Sequence, residues 1–131
     1  MNCLLLVAHG SKRPESNEEV RQLIERIRAE VKNRFDVVEL SFLEISQPSL
    51  STAIDYLAKN QAKQIIVFPY FLAPGKHVAQ DIPSILSSKQ TQYPEVKIAM
   101  TPHLGCAKEL TSLVVEIASN YLTSNAIKRI K

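Results

Sequence analysis

The 131 residues and 14.7 kDa suffice for one globular domain with a real core and leave no room for two. Hydrophobic residues at 45% and charged residues at 22% exclude disordered, collagen-like and coiled-coil chains. The longest apolar run, residues 3–8, is far short of the about 18 residues of a membrane span and lacks the basic flank of a secretory leader, so a cytoplasmic protein without membrane partners is expected. The formal charge of +3 owes much to Lys128, Arg129 and Lys131; it points to no nucleic acid and equally suits a polyanionic small substrate.

In chain order, residues 3–8 read as a buried parallel strand ending at His9-Gly10-Ser11. Ser16 and Glu19 have the spacing of a capping box, after which Val20, Leu23, Ile24, Ile27 and Val31 recur at helical intervals, predicting a helix to about Arg34. Residues 37–43 form the second predicted strand, and Ser49 is placed to cap a helix burying Leu50, Ala53, Ile54, Leu57 and Ala58. Residues 64–70 carry the β-branched and aromatic run of a third strand. A loop through Pro74-Gly75 then leads to a short helix opened by Asp81 and Pro83 and running through Ile85 and Leu86. Residues 96–100 form the fourth strand. The last helix gathers Leu110, Leu113, Val114, Ile117, Ala118, Tyr121 and Leu122 into one apolar stripe. Residues 1–123 are read as one α/β domain, and 124–131 as a basic tail that frays.

Strands alternating with helices predict a doubly wound four-stranded parallel sheet with helices on both faces, and the commonest order for four strands, 2-1-3-4, is expected. Its topological switch lies between the first and third strands, and ligands bind there, at the carboxyl ends of the strands. All three histidines and all three glycines fall just beyond strands: His9 and Gly10, Gly75 and His77, His103 and Gly105. His9 and His77 flank the switch and Glu44 ends the second strand, so two imidazoles and a carboxylate are expected to converge. Such donors suit borderline divalent ions such as cobalt, iron, nickel and zinc. The same imidazoles, with an ordinary pKa of about 6.5, also suit proton acceptance. Cys3 and Cys106 have no C-x-x-C spacing and are read as free thiols, set at opposite ends of the sheet about 17 Å apart.

Three segments carry a specific resemblance: V-A-H-G-S-K-R-P-E-S at 7–16, F-L-E-I-S-Q-P-S-L at 42–50 and P-Y-F-L-A-P-G-K-H-V-A-Q-D-I-P at 69–83. Together they resemble the sirohydrochlorin chelatases of the small, single-lobe cobaltochelatase type, within the wider class of ATP-independent tetrapyrrole chelatases built from flavodoxin-like lobes. The resemblance implies insertion of cobalt, iron or nickel into sirohydrochlorin, an eight-carboxylate tetrapyrrole, in cobalamin, sirohaem or nickel-cofactor biosynthesis. It implies no prosthetic group, the metal being a substrate. It places the metal-handling histidines at His9 and His77 and an acidic metal- or proton-handling position at Glu44. His103 falls outside the family pattern and is an extra ligand or a bystander.

On that reading the metal enters as pyrrole protons leave, and His9, His77 and Glu44 take up those protons. Gly10, Ser11, Lys12, Arg13, Gly75 and Lys76 lie on the rim, where cations would pair with substrate carboxylates. Phe71 and Leu72 either pack on the macrocycle or belong to the core. No G-x-x-x-x-G-K-[ST] motif occurs, in keeping with chemistry that draws no energy from ATP. A single lobe also implies a homodimer, in which a second copy supplies the other wall of the cleft. A flavin carrier is disfavoured by Ser11-Lys12-Arg13-Pro14 and the absence of tryptophan, and a receiver domain by Pro69-Tyr70 where its aspartate would stand. The serious alternative is a non-catalytic metal- or tetrapyrrole-binding protein of the same fold.

Overall fold

The computed structural model describes residues 1–122; the predicted tail at 124–131 lies outside them. Strands β1 (Asn2–Ala8), β2 (Val37–Phe42), β3 (Gln64–Pro69) and β4 (Lys97–Met100) alternate with helices α1 (Pro14–Val31), α2 (Leu50–Lys59) and α3 (Lys76–Gln92). A 3-10 turn, Leu104–Cys106, then precedes α4 (Lys108–Ser119). The four strands form one parallel sheet in the expected order β2-β1-β3-β4.

The pleat of β1 divides the core. Cys3, Leu5 and Val7 face α2 and α3 and pack with Ile65, Val67, Leu50, Ile54, Leu57, Ile82 and Leu86. Leu6 and Ala8 face the other way and join Val38, Leu40, Phe42 and Ile24 beneath α1. Both faces of β1 are therefore covered, which is why this strand reads as an unbroken apolar run rather than an alternating one. The one buried polar side chain among the described residues, Ser41, is satisfied by donating from Oγ to the Leu6 carbonyl at 2.9 Å.

Three helices depart from expectation. Helix α1 opens at Pro14, with Arg13 at the N-cap and no side-chain cap, so Ser16 and Glu19 lie inside the first turns and the capping box does not form. Proline at N1 suffices to open the helix, because its missing N–H is one that no helix start can pair. Helix α3 begins at Lys76, not near Asp81, and spans 17 residues with Pro83 in its interior. Pro83 leaves the Ala79 carbonyl without its usual helical donor, but both residues are exposed and water can serve that oxygen. Helix α4 carries the predicted stripe from Leu110 to Ala118 but ends at Ser119, short of Tyr121 and Leu122, and none of its residues is buried. The Ser49 cap is as expected, its Oγ accepting from the Thr52 N–H at 3.1 Å.

Both cysteines are free, Cys3 buried at the start of β1 and Cys106 exposed in the 3-10 turn after β4. Burial pushes the Cys3 thiol pKa up, against the pull of the nearby N-terminal ammonium, so it is a packing residue rather than a reactive one. No helix of the described residues is long and apolar enough to cross a membrane.

Candidate functional site

The carboxyl ends of β1 and β2 are joined beyond the sheet proper. The Leu43 N–H donates to the Ala8 carbonyl at 2.9 Å and the Glu44 N–H to the His9 carbonyl at 3.1 Å, extending the parallel ladder by two residues into the loops. This extension sets His9 beside Glu44. Gly10 makes it possible: its φ is +99°, and a Cβ there would lie 2.0 Å from the Glu44 carbonyl oxygen. Only glycine lets the two loops close this far.

His9 Nε2 stands 3.6 Å from Glu44 Oε1, and both side chains are more than half exposed. That separation is too long for a hydrogen bond, so the nitrogen and oxygen lone pairs are not spent on one another. The His9 ring meets Phe71 edge-on, with centroids 6.5 Å apart and planes at 84°. Phe71, following β3, also packs against the α2–α3 core, so it belongs to the core and to the rim at once.

His77 occupies the first turn of α3, directly after the Gly75 N-cap, rather than the loop that the position of Pro83 suggested. Its side chain is exposed. Among the described residues no three His, Cys, Asp or Glu side chains close into a metal-holding group. Of the expected His9, His77 and Glu44 set, His9 and Glu44 stand beside one another, and His77 stands in the first turn of α3. His103 faces its own turn, with Nε2 3.4 Å from Cys106 Sγ.

The rim residues divide by what already engages them. Ser11 is taken up by the loop: its N–H donates to Asn17 Oδ1 at 3.1 Å, and its Oγ accepts from the Arg13 N–H at 3.0 Å. Arg13 Nε lies 3.7 Å from Glu15 Oε1. Lys12, Lys76 and Leu72 are exposed, and Gly75 has nothing within 4 Å of a would-be Cβ. Beside them, Phe71, Val78, Ile82, Met100, Pro102 and His103 help to line an apolar cleft of about 160 Å³.

Two positioning residues were missed by the sequence reading. Asn17 Nδ2 donates to the Ser11 carbonyl and to Ser46 Oγ, both at 2.9 Å, and Ser46 Oγ donates to the same carbonyl at 3.3 Å. They stitch the loop after β1 to the loop after β2. A polar residue in the first turn of a helix carries no periodic signal; its only clue was its place three residues beyond Pro14. Gly105 plays the corresponding part on the other side, its N–H donating to the Phe71 carbonyl at 3.0 Å. A Cβ there would lie 1.8 Å from the Leu72 carbonyl oxygen.

These features define a doubly wound α/β domain whose rim, at the carboxyl ends of the strands, carries imidazole and carboxylate groups and an aromatic edge. The chain belongs to the CbiX family, whose model matches residues 3–121. It is 42% identical over 86 residues to the sirohydrochlorin cobaltochelatase of Methanococcus maripaludis, an alignment covering 66% of this chain and 58% of that protein. It is 34% identical over 120 residues to the sirohydrochlorin cobaltochelatase of Sulfolobus acidocaldarius, covering 92% of each. Among solved structures it superposes on the sirohydrochlorin chelatase SirB from Bacillus subtilis, in complex with cobalt, with a TM-score of 0.78 and 28% identity. That superposition covers 91% of this chain and 50% of SirB, so the fold described here corresponds to one half of the longer protein.

Proposed function

We propose that the chain is an ATP-independent chelatase of the cytoplasm that inserts a divalent metal, cobalt or iron and by the same donors nickel, into sirohydrochlorin. The observation that carries this reading is the His9–Glu44 pair, two unspent donors held 3.6 Å apart at the carboxyl ends of β1 and β2 by main-chain bonds. Family membership and the names of the relatives support it; the metal and the tetrapyrrole are substrates, and no prosthetic group is called for.

The reaction exchanges one divalent ion for the two pyrrole N–H protons of the macrocycle, so the site must hold a metal and accept protons. His9 and His77 would present the metal through neutral imidazole nitrogens, and Glu44 would receive a proton from His9 across their short gap. Lys12, Arg13 and Lys76 would meet the substrate carboxylates, with Arg13 first exchanging its exposed contact to Glu15, which is weak in water. Phe71 and Leu72 would give the ring an apolar bed, while Gly10, Ser11 and Gly75 leave room for it.

A cleft of about 160 Å³ is small even for an ordinary ligand pocket, commonly about 300 Å³ or more, and a tetrapyrrole needs a second wall. A second copy of the chain supplies that wall in our reading, much as SirB carries twice the length in one chain. Anaerobic insertion of Co²⁺, Fe²⁺ and Ni²⁺ into sirohydrochlorin, followed by absorbance, tests the function. His9→Ala and His77→Ala should each lower the enzyme-dependent rate about 100-fold or more. Full rates in both variants would overturn the assignment, and ligand binding without turnover would mark a carrier instead.

A further inference from the structure

Beyond the end of β2 the chain turns on a residue ill-suited to turning. Ile45 has φ +71°, and the Ser46 N–H donates to the Glu44 carbonyl across it at 2.7 Å. A hydrogen bond spanning a single residue at positive φ marks the γ-turn in its rare, strained form. A β-branched side chain is the least tolerant of that region, whereas glycine or asparagine enters it at little cost. Packing within the chain does not offset the strain. The Ile45 side chain is 56% exposed and joins neither apolar cluster among the described residues.

The turn is held by its surroundings. Asn17 ties Ser46 to the loop after β1, and the Glu44 carbonyl that closes the turn lies against Gly10, where a Cβ has no room. The frame that sets His9 beside Glu44 therefore also presents Ile45 to solvent. Strand order gives that position a meaning: the sheet runs β2-β1-β3, so Ile45, His9 and Leu72 follow three adjacent strands. Two exposed apolar side chains, Ile45 and Leu72, thus fall on either side of the imidazole, with Phe71 edge-on to it. The ends of β2 and β3 stand two strand spacings apart, about 10 Å, a width comparable to a tetrapyrrole ring.

We propose that Ile45 is a substrate-contacting residue whose side chain packs on the face of the macrocycle and, with Leu72, holds the ring over His9 and Glu44. The inference rests on the proposed function and deepens it by supplying apolar support on the β2 side, opposite Phe71 and Leu72. The contact is to the flat ring and not to its carboxylates, because an aliphatic group gains by covering apolar surface and offers a charge nothing. A residue better suited to the turn would put no apolar surface there.

Ile45→Asn tests this, since asparagine tolerates the turn but removes the apolar surface. Its thermal midpoint should equal the parent's or lie a few degrees higher, as the strain is relieved. Its Kd for metal-free sirohydrochlorin, titrated by absorbance, should rise about tenfold, the loss of one buried aliphatic contact. At saturating substrate kcat should stay within about threefold of the parent, the pattern of a contact made equally in ground and transition states. Ile45→Met, apolar but unbranched, should bind within about threefold of the parent. A parental Kd in Ile45→Asn would overturn the inference, as would a fall in kcat with Kd unchanged, which marks a turn that only positions Glu44. A midpoint below the parent's would assign the side chain to packing within the chain, and a lower mass in light scattering to contact between copies; either overturns it. A parent chain that takes up no sirohydrochlorin defeats the proposed function as well. A parent that binds and turns over beside an unaffected Ile45→Asn defeats this inference alone.

Discussion

At the scale of single residues, the site depends on backbone closeness more than on side-chain contacts. Gly10 is the clearest case, since Gly10→Ala must move the Glu44 carbonyl and hold an L residue at φ +99°. The expected cost is about 2 kcal/mol or more, read by urea unfolding, with the insertion rate falling further than stability alone explains. Asn17→Ala should cost on the order of 1 kcal/mol by removing the bridge between the two loops. Its effect on kcat should exceed that of a surface control such as Lys59→Ala, because His9 and Glu44 lose registration. The sequence made His9, Gly10 and Glu44 legible through their places after strands. Asn17 and Ser46 were not legible, since hydrogen bonds between loops leave no spacing to count.

At the scale of elements, α2 and α3 are tied by a polar knot beside their apolar contact. Lys89 Nζ and Tyr93 Oη both donate to Asp55 Oδ1, at 2.7 and 2.8 Å. Partial burial of Asp55 opposes its ionisation, but the hydrogen bonds from Lys89 and Tyr93 and the charges of Lys89 and Lys59 outweigh it and lower the pKa. The folded pKa lies below the unfolded one, so the knot contributes fully above the unfolded carboxylate pKa of about 3.9 and is lost as pH falls through the folded value. Unfolding midpoints measured from pH 6 down to about pH 2 should therefore fall less steeply in Asp55→Asn, which starts on the order of 1 kcal/mol less stable at neutral pH. Helix α3 also marks where reading by element fails. Pro83 looks like a beginning, because proline is best tolerated in a first turn, yet an exposed helix accepts it inside when water takes the freed carbonyl. That single misplacement moved His77 from loop to helix.

At the scale of the whole molecule, alternation pointed to a parallel sheet with helices on both faces, and the commonest order for four such strands is the one observed. The position of α4 did not follow. Periodicity says that a helix face wants cover and is silent about which chain provides it. If two copies of the chain close the cleft between them, the thermal midpoint should rise with protein concentration over the micromolar range; a midpoint independent of concentration would contradict that reading. The ladder that runs past the ends of β1 and β2 has a separate implication for engineering. His9 and Glu44 owe their spacing to amide and carbonyl groups common to every residue, so replacing either by cysteine, aspartate or glutamine should retune which ion is favoured without rebuilding the frame. Selectivity and architecture would then be independent variables in this protein, adjustable one at a time.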